Sequence, residues 1–529
     1  MVNHFAFADW LVFAIYLSIL AITGWYFNRK KSANTQDYFL GGNTMPVWVV
    51  AVSVLATSQS AATFLGGPDQ GYRGDFSYLV TNIGAFIAAF FVATFLMPRF
   101  YQHKVTTVYE LLAVRFGEAA KKRAGLLYLF GRVFASGARL YMAAIAVSMI
   151  IFNDIAANHV VLATVLLAFI GLIYSVIGGI RTVIFSDVLQ CIVYVSAAVL
   201  VLYCLIITIP ADFSTVVTAL QQPDDGGASK LTLLNFDLDF TANGVFTFWS
   251  ALTGFVLLNI AAFGLDQDMT QRVLTCKSAK EGSKAMLMSV VLVIPVMALF
   301  IAIGSLLYIY FQRPDLMAGM SADGSVPVFS GENVTVFMFY VLNEIPAGIK
   351  GFVTIGVIAA ALSTLNSGLN SMSSVLVMDL YKPWTKKQGL AHSESHFVKA
   401  GQVSMVLVAF ALASMAVLCF YWQQYSDMPL LAFALSVMVF SYSGLLGVFF
   451  TAVFSQRGNS RSVTWALISG FAVTLFFQPY VQEALMPQAY QINLGFTYQL
   501  CIGAFVGWIV CMLGSSIETN QASKLVPVS

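Results

Sequence analysis

The sequence predicts an all-α polytopic membrane protein, and three observations carry that prediction. Of the 529 residues, 59% are hydrophobic and only 10% are charged, with a mean hydropathy of +0.80, which leaves too little charge to cover a water-soluble protein of this size. Apolar runs of roughly 20 residues, the length with which a helix crosses about 30 Å of hydrocarbon, recur along the whole chain. Lys and Arg residues are concentrated in alternate loops between these runs.

The apolar runs divide the chain into about 13 predicted transmembrane helices. They form one predicted domain over residues 1–529, with no separate soluble domain. The predicted spans lie near residues 9–27, 46–65, 77–98, 126–152, 159–177, 183–209, 246–265, 285–311, 351–378, 401–421, 429–454, 463–477 and 494–513.

The charge pattern predicts the direction of the spans. Loops after odd-numbered spans carry 21 of the 27 basic residues, whereas the opposite loops carry only Arg73, Lys230, Arg313 and Lys350. The 21 include Arg29, Lys30 and Lys31 after the first span and Lys524 after the last. Because Lys and Arg resist translocation, we expect a multi-pass protein of the cytoplasmic membrane with its amino terminus outside and its carboxyl terminus inside. Residues 1–10 lack the basic segment and cleavage site of a secretory signal, so the first span is expected to be retained.

Composition also excludes several kinds of partner. No Lys/Arg cluster interleaved with aromatic residues suggests nucleic acid. The six cysteines lack C-x-x-C spacing and fall in or near apolar segments, which predicts packing roles and neither disulfides nor a metal centre. We expect no organic cofactor and no enzymatic activity. The oligomeric state stays open.

The ninth span has a polar face in an otherwise apolar helix. Ser and Asn recur at helical spacing, at Ser363, Asn366, Ser367, Asn370, Ser371 and Ser374. One interpretation is that these residues pack the helix against its neighbours through hydrogen bonds. The other, which we favour, is that hydroxyl and amide oxygens bind a small cation such as Na⁺ that must enter and leave in each cycle.

Other spans contain polar or conformationally weak positions at membrane depth. Asp187 in span six is an ionisable group of the kind that is functional or forms a salt bridge. Span two has a polar centre at residues 56–60, and we expect its helix to unwind there and to end at residues 66–68. Span seven is interrupted by Gly254, Asn259 and Gly264. Two interrupted helices five spans apart predict inverted repeats with a binding site between them.

Two arginines, Arg132 and Arg139, lie on one face of span four. They are expected either to pair with acids such as Asp187, Asp69 or Asp75, or to bind an anionic group of a solute. Gly178-Gly179 and the polar cluster at residues 266–272 lie at predicted cytoplasmic helix ends. They are interpreted either as gate elements or as a turn and a solvated surface.

Four segments give the chain a resemblance to the sodium:solute symporter family. They are DYFLGGNTMP at residues 37–46, YSVIGGIRTVIFSDVLQ at residues 174–190, DQDMTQRVLTCKS at residues 266–278, and the stretch from AAALSTLNSGLNS to MDLYK at residues 359–382. The resemblance covers nearly the whole chain. It implies alternating access and a five-plus-five inverted-repeat core at residues 46–209 and 246–454, preceded by an extra helix at 9–27 and followed by two helices at 463–513.

The resemblance also implies ligands for the coupling ion, Na⁺. The main sodium site would be formed by backbone carbonyls of the broken helix and of span nine together with two hydroxyl groups: Ala56, Gln59, Ala360, Ser363 and Thr364. A possible second sodium site would consist of Asp187, Ser363, Asn366 and Ser367, with Asn366 where the family usually has Ser. The remaining stripe residues, Asn370, Ser371 and Ser374, are expected to pack the helix.

Solute identity does not follow from the resemblance. Positions that bind galactose in relatives are Thr63, Asn82, Ala262 and Val291 here, so a galactose-like solute is not expected. The predicted pocket is lined by Gln59, Thr63, Asn82, Arg139, Asn259 and Phe263. The sequence predicts sodium-driven symport of a small sugar-like, amino-acid-like or carboxylate solute across the lipid bilayer. Proton coupling through Asp187, a membrane sensor and a channel are the alternatives.

Overall fold

The computed structural model describes residues 5–28, 34–223, 227–317, 329, 336–423 and 430–515, and the regular structure within these ranges is entirely helical. Four basic residues used for the topology, Arg29, Lys30, Lys31 and Lys524, lie outside the described residues. The helices are α1 (Phe7–Asn28), α2 (Thr35–Leu40), α3 (Val47–Ser58), α4 (Ala61–Arg73), α5 (Thr81–Phe91), α6 (Met97–Gln102), α7 (Glu110–Phe116), α8 (Glu118–Phe152), α9 (Ala157–Thr208), α10 (Phe213–Gln221), α11 (Phe248–Leu252), α12 (Gly254–Gly264), α13 (Gln267–Val273), α14 (Ala279–Gln312), α15 (Pro314–Met317), α16 (Val336–Asn343), α17 (Ile349–Val375), α18 (Lys382–Lys387), α19 (Glu394–Gln423), α20 (Leu430–Phe454), α21 (Ser460–Phe476), α22 (Pro479–Leu485) and α23 (Phe496–Met512).

Many of these helices are long and apolar enough to cross a membrane. Eight helices of the described chain meet that criterion, or up to 10 if each of two bent pairs is one span, and three apolar helices of 10–17 residues are shorter. The predicted class, an all-α polytopic membrane protein, is confirmed.

The second predicted span is broken where its polar centre lies. Gln59 and Ser60 have extended backbone between α3 and α4, as predicted. The prediction that residues 66–68 end this span is wrong, because α4 continues through Pro68 to Arg73. Its small residues pack closely against α14: a Cβ on Gly71 would lie 2.1 Å from the carbonyl oxygen of Ile301. This packing stabilises a helix that Pro68 alone would weaken.

A sharp turn inside α9 separates the fifth and sixth predicted spans. Gly179 has φ 61° and ψ −177°, a conformation that is essentially restricted to glycine. A Cβ at this position would also lie 3.0 Å from the carbonyl oxygen of Tyr38. Of the two interpretations of Gly178-Gly179, the structure shows a turn.

The seventh predicted span is also interrupted, but the interruption predicted at Asn259 is wrong, because Asn259 lies inside α12. Thr253 breaks the helix between α11 and α12, and Leu265 and Asp266 separate α12 from α13. The ninth span, α17, lies in the interior and packs against α8, α9 and α19. Its polar stripe is therefore buried inside the bundle, and it faces several helices instead of lipid.

Candidate functional site

The break between α3 and α4 leaves carbonyl groups without a backbone hydrogen bond in the described chain, and that of Ala56 contacts α17. In the described part of the chain, the carbonyl oxygens of Ala56 and Gln59 accept no backbone hydrogen bond. Ser363 Oγ lies 3.5 Å from the Ala56 oxygen, and Thr364 Oγ1 donates to the Ala360 oxygen at 3.2 Å. These oxygens are hard, neutral ligands of the type that suits Na⁺.

Thr364 faces the same break from the other side. Together with Ala361 it lines a narrow cavity whose opposite wall includes Ser60 and Ala61, the residues at which the chain resumes its helix. The predicted main sodium ligands on α17 are thus directed towards the unwound segment.

Asp187 lies between the broken helix and α17, and its two oxygens have different partners. Its Oδ1 accepts from Ser363 Oγ at 2.6 Å. Its Oδ2 accepts from Ser53 Oγ at 2.5 Å and from Arg272 Nη2 at 3.1 Å and Nε at 3.3 Å. The carboxylate is completely buried, so these contacts replace its hydration.

The other predicted ligands of the second sodium site diverge. Ser367 Oγ accepts from Arg272 Nη2 and lies 3.3 Å from Thr57 Oγ1, on the Asp187 side. Asn366 is directed elsewhere, and its Oδ1 accepts from Ser175 Oγ at 2.9 Å. The structure therefore brings Asp187, Ser363 and Ser367 together and places Asn366 against the first half of α9.

The distal end of the stripe makes interhelical hydrogen bonds. Asn370 Oδ1 accepts from Gln271 Nε2 at 3.0 Å, and Ser371 Oγ accepts from the hydroxyl of Tyr128 at 3.2 Å. Ser374 Oγ accepts from Gln267 Nε2 at 3.3 Å. These contacts join α17 to α8 and α13.

A buried ion-pair network extends from Asp187 along α13 to α8. Arg272 donates to Asp187 and, through Nη1, to Asp268 Oδ1 at 3.2 Å. Arg132 pairs with Asp268 and, at 2.8 Å, with Asp266, which also accepts from the hydroxyl of Tyr442 at 2.5 Å. The interpretation of residues 266–272 as a solvated surface is wrong, because these side chains are buried by α3, α8, α9 and α20.

The network also corrects the expected partners of Arg132. The acids proposed from the sequence were Asp187, Asp69 and Asp75, but Asp187 pairs with Arg272 and Asp69 pairs with Arg73. Arg132 instead pairs with Asp266 and Asp268, which lie 134 and 136 positions further along the chain.

Arg139 lies on the same face of α8 as Arg132, but it has no carboxylate partner among the described residues. Its guanidinium is buried, yet it makes no ion pair with any described residue, and its Nη1 has no hydrogen-bond partner there. Nη2 lies 3.7 Å from the sulfur of Met438, which is a weak acceptor.

Arg139 lines a cavity of about 120 Å³ among α3, α5, α8, α12, α14 and α20. Five of the six residues predicted to bind solute line it: Gln59, Asn82, Arg139, Asn259 and Phe263. Thr63 is buried but is not among the lining residues. Gln59 Oε1 has no hydrogen-bond partner in the described chain, so the cavity holds an unused acceptor as well as an unused donor.

Three residues of the site were not assigned to it from the sequence. Ser53 and Arg272 both contact Asp187, and Tyr78 lines the cavity beside Arg139. Ser53 was detectable as a polar residue one helical turn before Thr57 in an apolar run. Arg272 lies in the polar cluster at residues 266–272, but the distribution of basic residues places it in a loop, and no sequence pattern indicates its contact with Asp187.

The sequence matches the model of the sodium:solute symporter family over residues 38–470, and the chain therefore belongs to that family. It is 28% identical over 476 residues to the sodium/sialic acid symporter SiaT of Proteus mirabilis, covering 89% of this chain and 90% of the relative. It is 26% identical over 477 residues to the human sodium-coupled monocarboxylate transporter 1, covering 90% of this chain and 74% of the relative. A solved structure of a Na⁺-coupled sialic acid symporter in a substrate-bound outward-open state shares the fold, with a TM-score of 0.79 at 24% identity, covering 96% of this chain and 97% of that one.

Family membership establishes the general activity. The chain is a multi-pass membrane protein that couples solute transport to sodium, and it is a transporter and not an enzyme.

Proposed function

We propose that this symporter carries a small organic solute with a carboxylate group, which Arg139 binds. The observation that carries the proposal is the guanidinium of Arg139, buried at the wall of the cavity with no carboxylate partner among the described residues. Arg132, seven residues earlier, has two such partners. Arg139 is therefore the arginine available to a solute.

The chemistry of a buried guanidinium favours an anionic partner. Removing an unpaired cation from water is costly, and a carboxylate repays that cost with two parallel charge-assisted hydrogen bonds. The names of two relatives agree with this class: one is described as a sialic acid symporter and the other as a monocarboxylate transporter.

The rest of the cavity would bind the uncharged part of the solute. Gln59 Oε1 is an unused acceptor for a hydroxyl or amide group. Asn82 and Asn259 each donate to a carbonyl of their own segment, at 3.0 Å and 2.8 Å, which fixes their side chains at the wall. Phe263 supplies an apolar surface. A volume of about 120 Å³ favours a small solute.

The main sodium site is proposed at the carbonyl oxygens of Ala56, Gln59 and Ala360 and the hydroxyls of Ser363 and Thr364. Support comes from the carbonyls of Ala56 and Gln59, which accept no backbone hydrogen bond in the described chain, and from the position of Thr364 at the break. Arg139 lines the narrow cavity beside Thr364 as well as the solute cavity. A bound carboxylate and Na⁺ would thus lie on either side of the break and attract each other.

This arrangement gives a physical origin for coupling. Na⁺ would hold the unwound segment between α3 and α4 against α17 and orient Gln59 towards the solute. Each ligand then favours the conformation that the other binds, so each raises the other's affinity in the alternating-access cycle.

We do not propose a second sodium site at Asp187, Ser363, Asn366 and Ser367, because these groups already have other partners. Arg272 already donates to Asp187 Oδ2 and to Ser367, and Asn366 bonds Ser175. We therefore propose one Na⁺ per cycle, because a second ion would require Arg272 to withdraw towards Asp268. A sodium Hill coefficient near one in wild type supports this stoichiometry, and a coefficient near two that falls to one in Asp187→Ala contradicts it.

The finer architecture is proposed from the resemblance. It comprises about 13 helices, with inverted repeats at residues 46–209 and 246–454. The breaks at α3–α4 and α11–α12 support it, because each lies at the start of one repeat. The charge asymmetry supports insertion in the cytoplasmic membrane with the amino terminus outside.

The experiment is uptake into proteoliposomes by the purified protein. Labelled small carboxylates, their neutral analogues, amino acids and sugars are offered with an inward sodium gradient or a matched choline gradient. The proposal predicts sodium-dependent uptake only of solutes that carry a carboxylate group, which includes the amino acids. Sodium-dependent uptake of a neutral sugar, with no carboxylate transported, would overturn the proposed solute class.

A further inference from the structure

A large groove lies on the outside of the bundle, away from the solute cavity. It has a volume of about 760 Å³ and is enclosed by the basic end of α8, the π-helical turn at Leu376–Tyr381, α18 and α19. That volume lies within the range of roughly 300–1,000 Å³ typical of ligand pockets. None of its lining residues belongs to the proposed sodium or solute sites.

The wall of the groove is apolar and open to the surroundings of the bundle. Val403 and Leu407, one helical turn apart on α19, are 64% and 67% exposed, and Leu380 forms part of the opposite wall. Trp384 stands at the end of the groove and is 48% exposed. Tryptophan is enriched where hydrocarbon meets lipid headgroups, so the groove crosses that boundary.

Two lysines with no acidic partner in the described chain also line the groove. Lys122 and Lys399 both line it, and neither makes an ion pair with a described residue. Acids on the same segments bind other groups: Glu118 pairs with Lys121, Glu394 pairs with Lys382, and buried Asp379 accepts from Thr107 and lies 3.9 Å from Lys121 Nζ. The groove therefore combines an apolar wall with two uncompensated positive charges.

We propose that this groove is a binding site for an anionic phospholipid. An acyl chain lies along Val403 and Leu407, and the phosphate lies between Lys122 and Lys399. Charge complementarity selects an anionic headgroup over a zwitterionic one, because the ammonium group of a zwitterionic headgroup would be repelled by the lysines. Under the topology proposed above, the site lies in the inner leaflet. The inference does not depend on which solute is carried.

The experiment uses Trp384 as a reporter in the full-length protein. Purified protein is reconstituted in phosphatidylcholine vesicles that contain increasing fractions of brominated phosphatidylglycerol or brominated phosphatidylcholine. The same titrations with Trp384→Phe isolate the fluorescence of Trp384. We expect brominated phosphatidylglycerol to quench this fluorescence at a mole fraction about tenfold lower than brominated phosphatidylcholine.

Two double variants test whether the preference for phosphatidylglycerol comes from the groove or from surface charge in general. Lys122→Gln/Lys399→Gln should abolish the preference for phosphatidylglycerol. Lys386→Gln/Lys387→Gln removes the same charge from exposed positions of α18 outside the groove and should keep it. Soluble glycerol phosphate should not relieve the quenching, because the acyl chain contributes to binding. Equal quenching by both lipids in wild type, or a preference that survives in Lys122→Gln/Lys399→Gln, would overturn the proposal.

Discussion

Two arginines on one face of α8 have opposite environments, and that contrast defines the site. Arg132 is held between Asp266 and Asp268, whereas Arg139 Nη2 has the weak acceptor sulfur of Met438 as its hydrogen-bond partner among the described residues. A buried guanidinium held by two carboxylates is costly to move. The network can therefore position α8 and α13 while Arg139 stays available for an anion.

The Asp187–Arg272 pair should be strongly coupled in the folded protein. We expect Asp187→Asn and Arg272→Gln each to destabilise it by up to about 3–5 kcal/mol, because each leaves a buried charge without one of its partners. The double variant should be less destabilised than the sum, with a coupling of about 1–3 kcal/mol. Thermal unfolding in detergent measures both quantities.

An ion pair that is exposed on both sides provides the control for that cycle. Lys382 and Glu394 are 35% and 44% exposed, so their coupling should be below about 1 kcal/mol. Strictly additive effects of Asp187→Asn and Arg272→Gln would show that their contact contributes nothing specific.

The sequence identified both arginines and Asp187 as exceptional but did not identify their pairing. An ionisable residue in an apolar run is visible from composition alone. Its partner is not, because Arg272 follows Asp187 by 85 positions and reaches it only through the packing of α13 against α3. The same reasoning explains why the acids expected for Arg132 were wrong.

At the scale of elements, the unwound segment between α3 and α4 and the polar face of α17 form one unit. The unwound segment supplies carbonyl oxygens, and α17 supplies hydroxyls at fixed spacing. Periodicity predicted that α17 has a polar face, and the run at residues 56–60 predicted the break. Periodicity could not separate ligand residues from packing residues, because each role depends on the helix that the side chain faces. Asn366, for example, faces α9, where its Oδ1 accepts a hydrogen bond from Ser175.

The hydroxyls of Ser363 and Thr364 should control sodium affinity. Removing one oxygen that binds a charged group costs about 1.5–3 kcal/mol, so Ser363→Ala and Thr364→Ala should each weaken apparent sodium affinity by roughly 10–100-fold. Solute affinity at saturating sodium should change much less. Sodium titrations of initial uptake rates measure the effect.

Two variants on the same helix test whether the effect is local. Thr364→Ser keeps the hydroxyl and should retain nearly normal sodium affinity. Ser371→Ala removes a hydroxyl that bonds Tyr128 and should leave sodium affinity unchanged. If both alanine variants at 363 and 364 bind sodium normally, the polar face of α17 is only a packing surface.

The turn at Gly179 should tolerate no side chain. Gly179→Ala should cost about 1–3 kcal/mol of backbone strain, with a further penalty from the Cβ contact with the Tyr38 carbonyl. Gly117 is a matched control, because it has φ 88° and ψ 168° but nothing within 4 Å of the position that a Cβ would occupy. Thermal unfolding should show a larger loss for Gly179→Ala than for Gly117→Ala, and equal losses would contradict the tight contact.

At the scale of the whole molecule, composition and charge predicted most of what the fold shows. The apolar runs predicted a helical polytopic protein, and the motif segments predicted its family. One part of the charge pattern is misleading: it places Arg272 in a loop, whereas the residue lies fully buried in the core. A short helix such as α13 between two interruptions is indistinguishable from a loop by hydropathy, because its polar residues face a buried network.

The most direct test of the proposed solute class combines two changes, one in the solute and one in the protein. Sodium-driven uptake of the best carboxylate from the panel and of its amide analogue is measured in wild type, Arg139→Gln and Arg139→Lys. We predict that Arg139→Gln weakens apparent affinity for the carboxylate by about 10–100-fold, affects the amide much less, and is partly rescued by Arg139→Lys. Equal losses for the acid and the amide in Arg139→Gln would show that Arg139 does not bind the carboxylate.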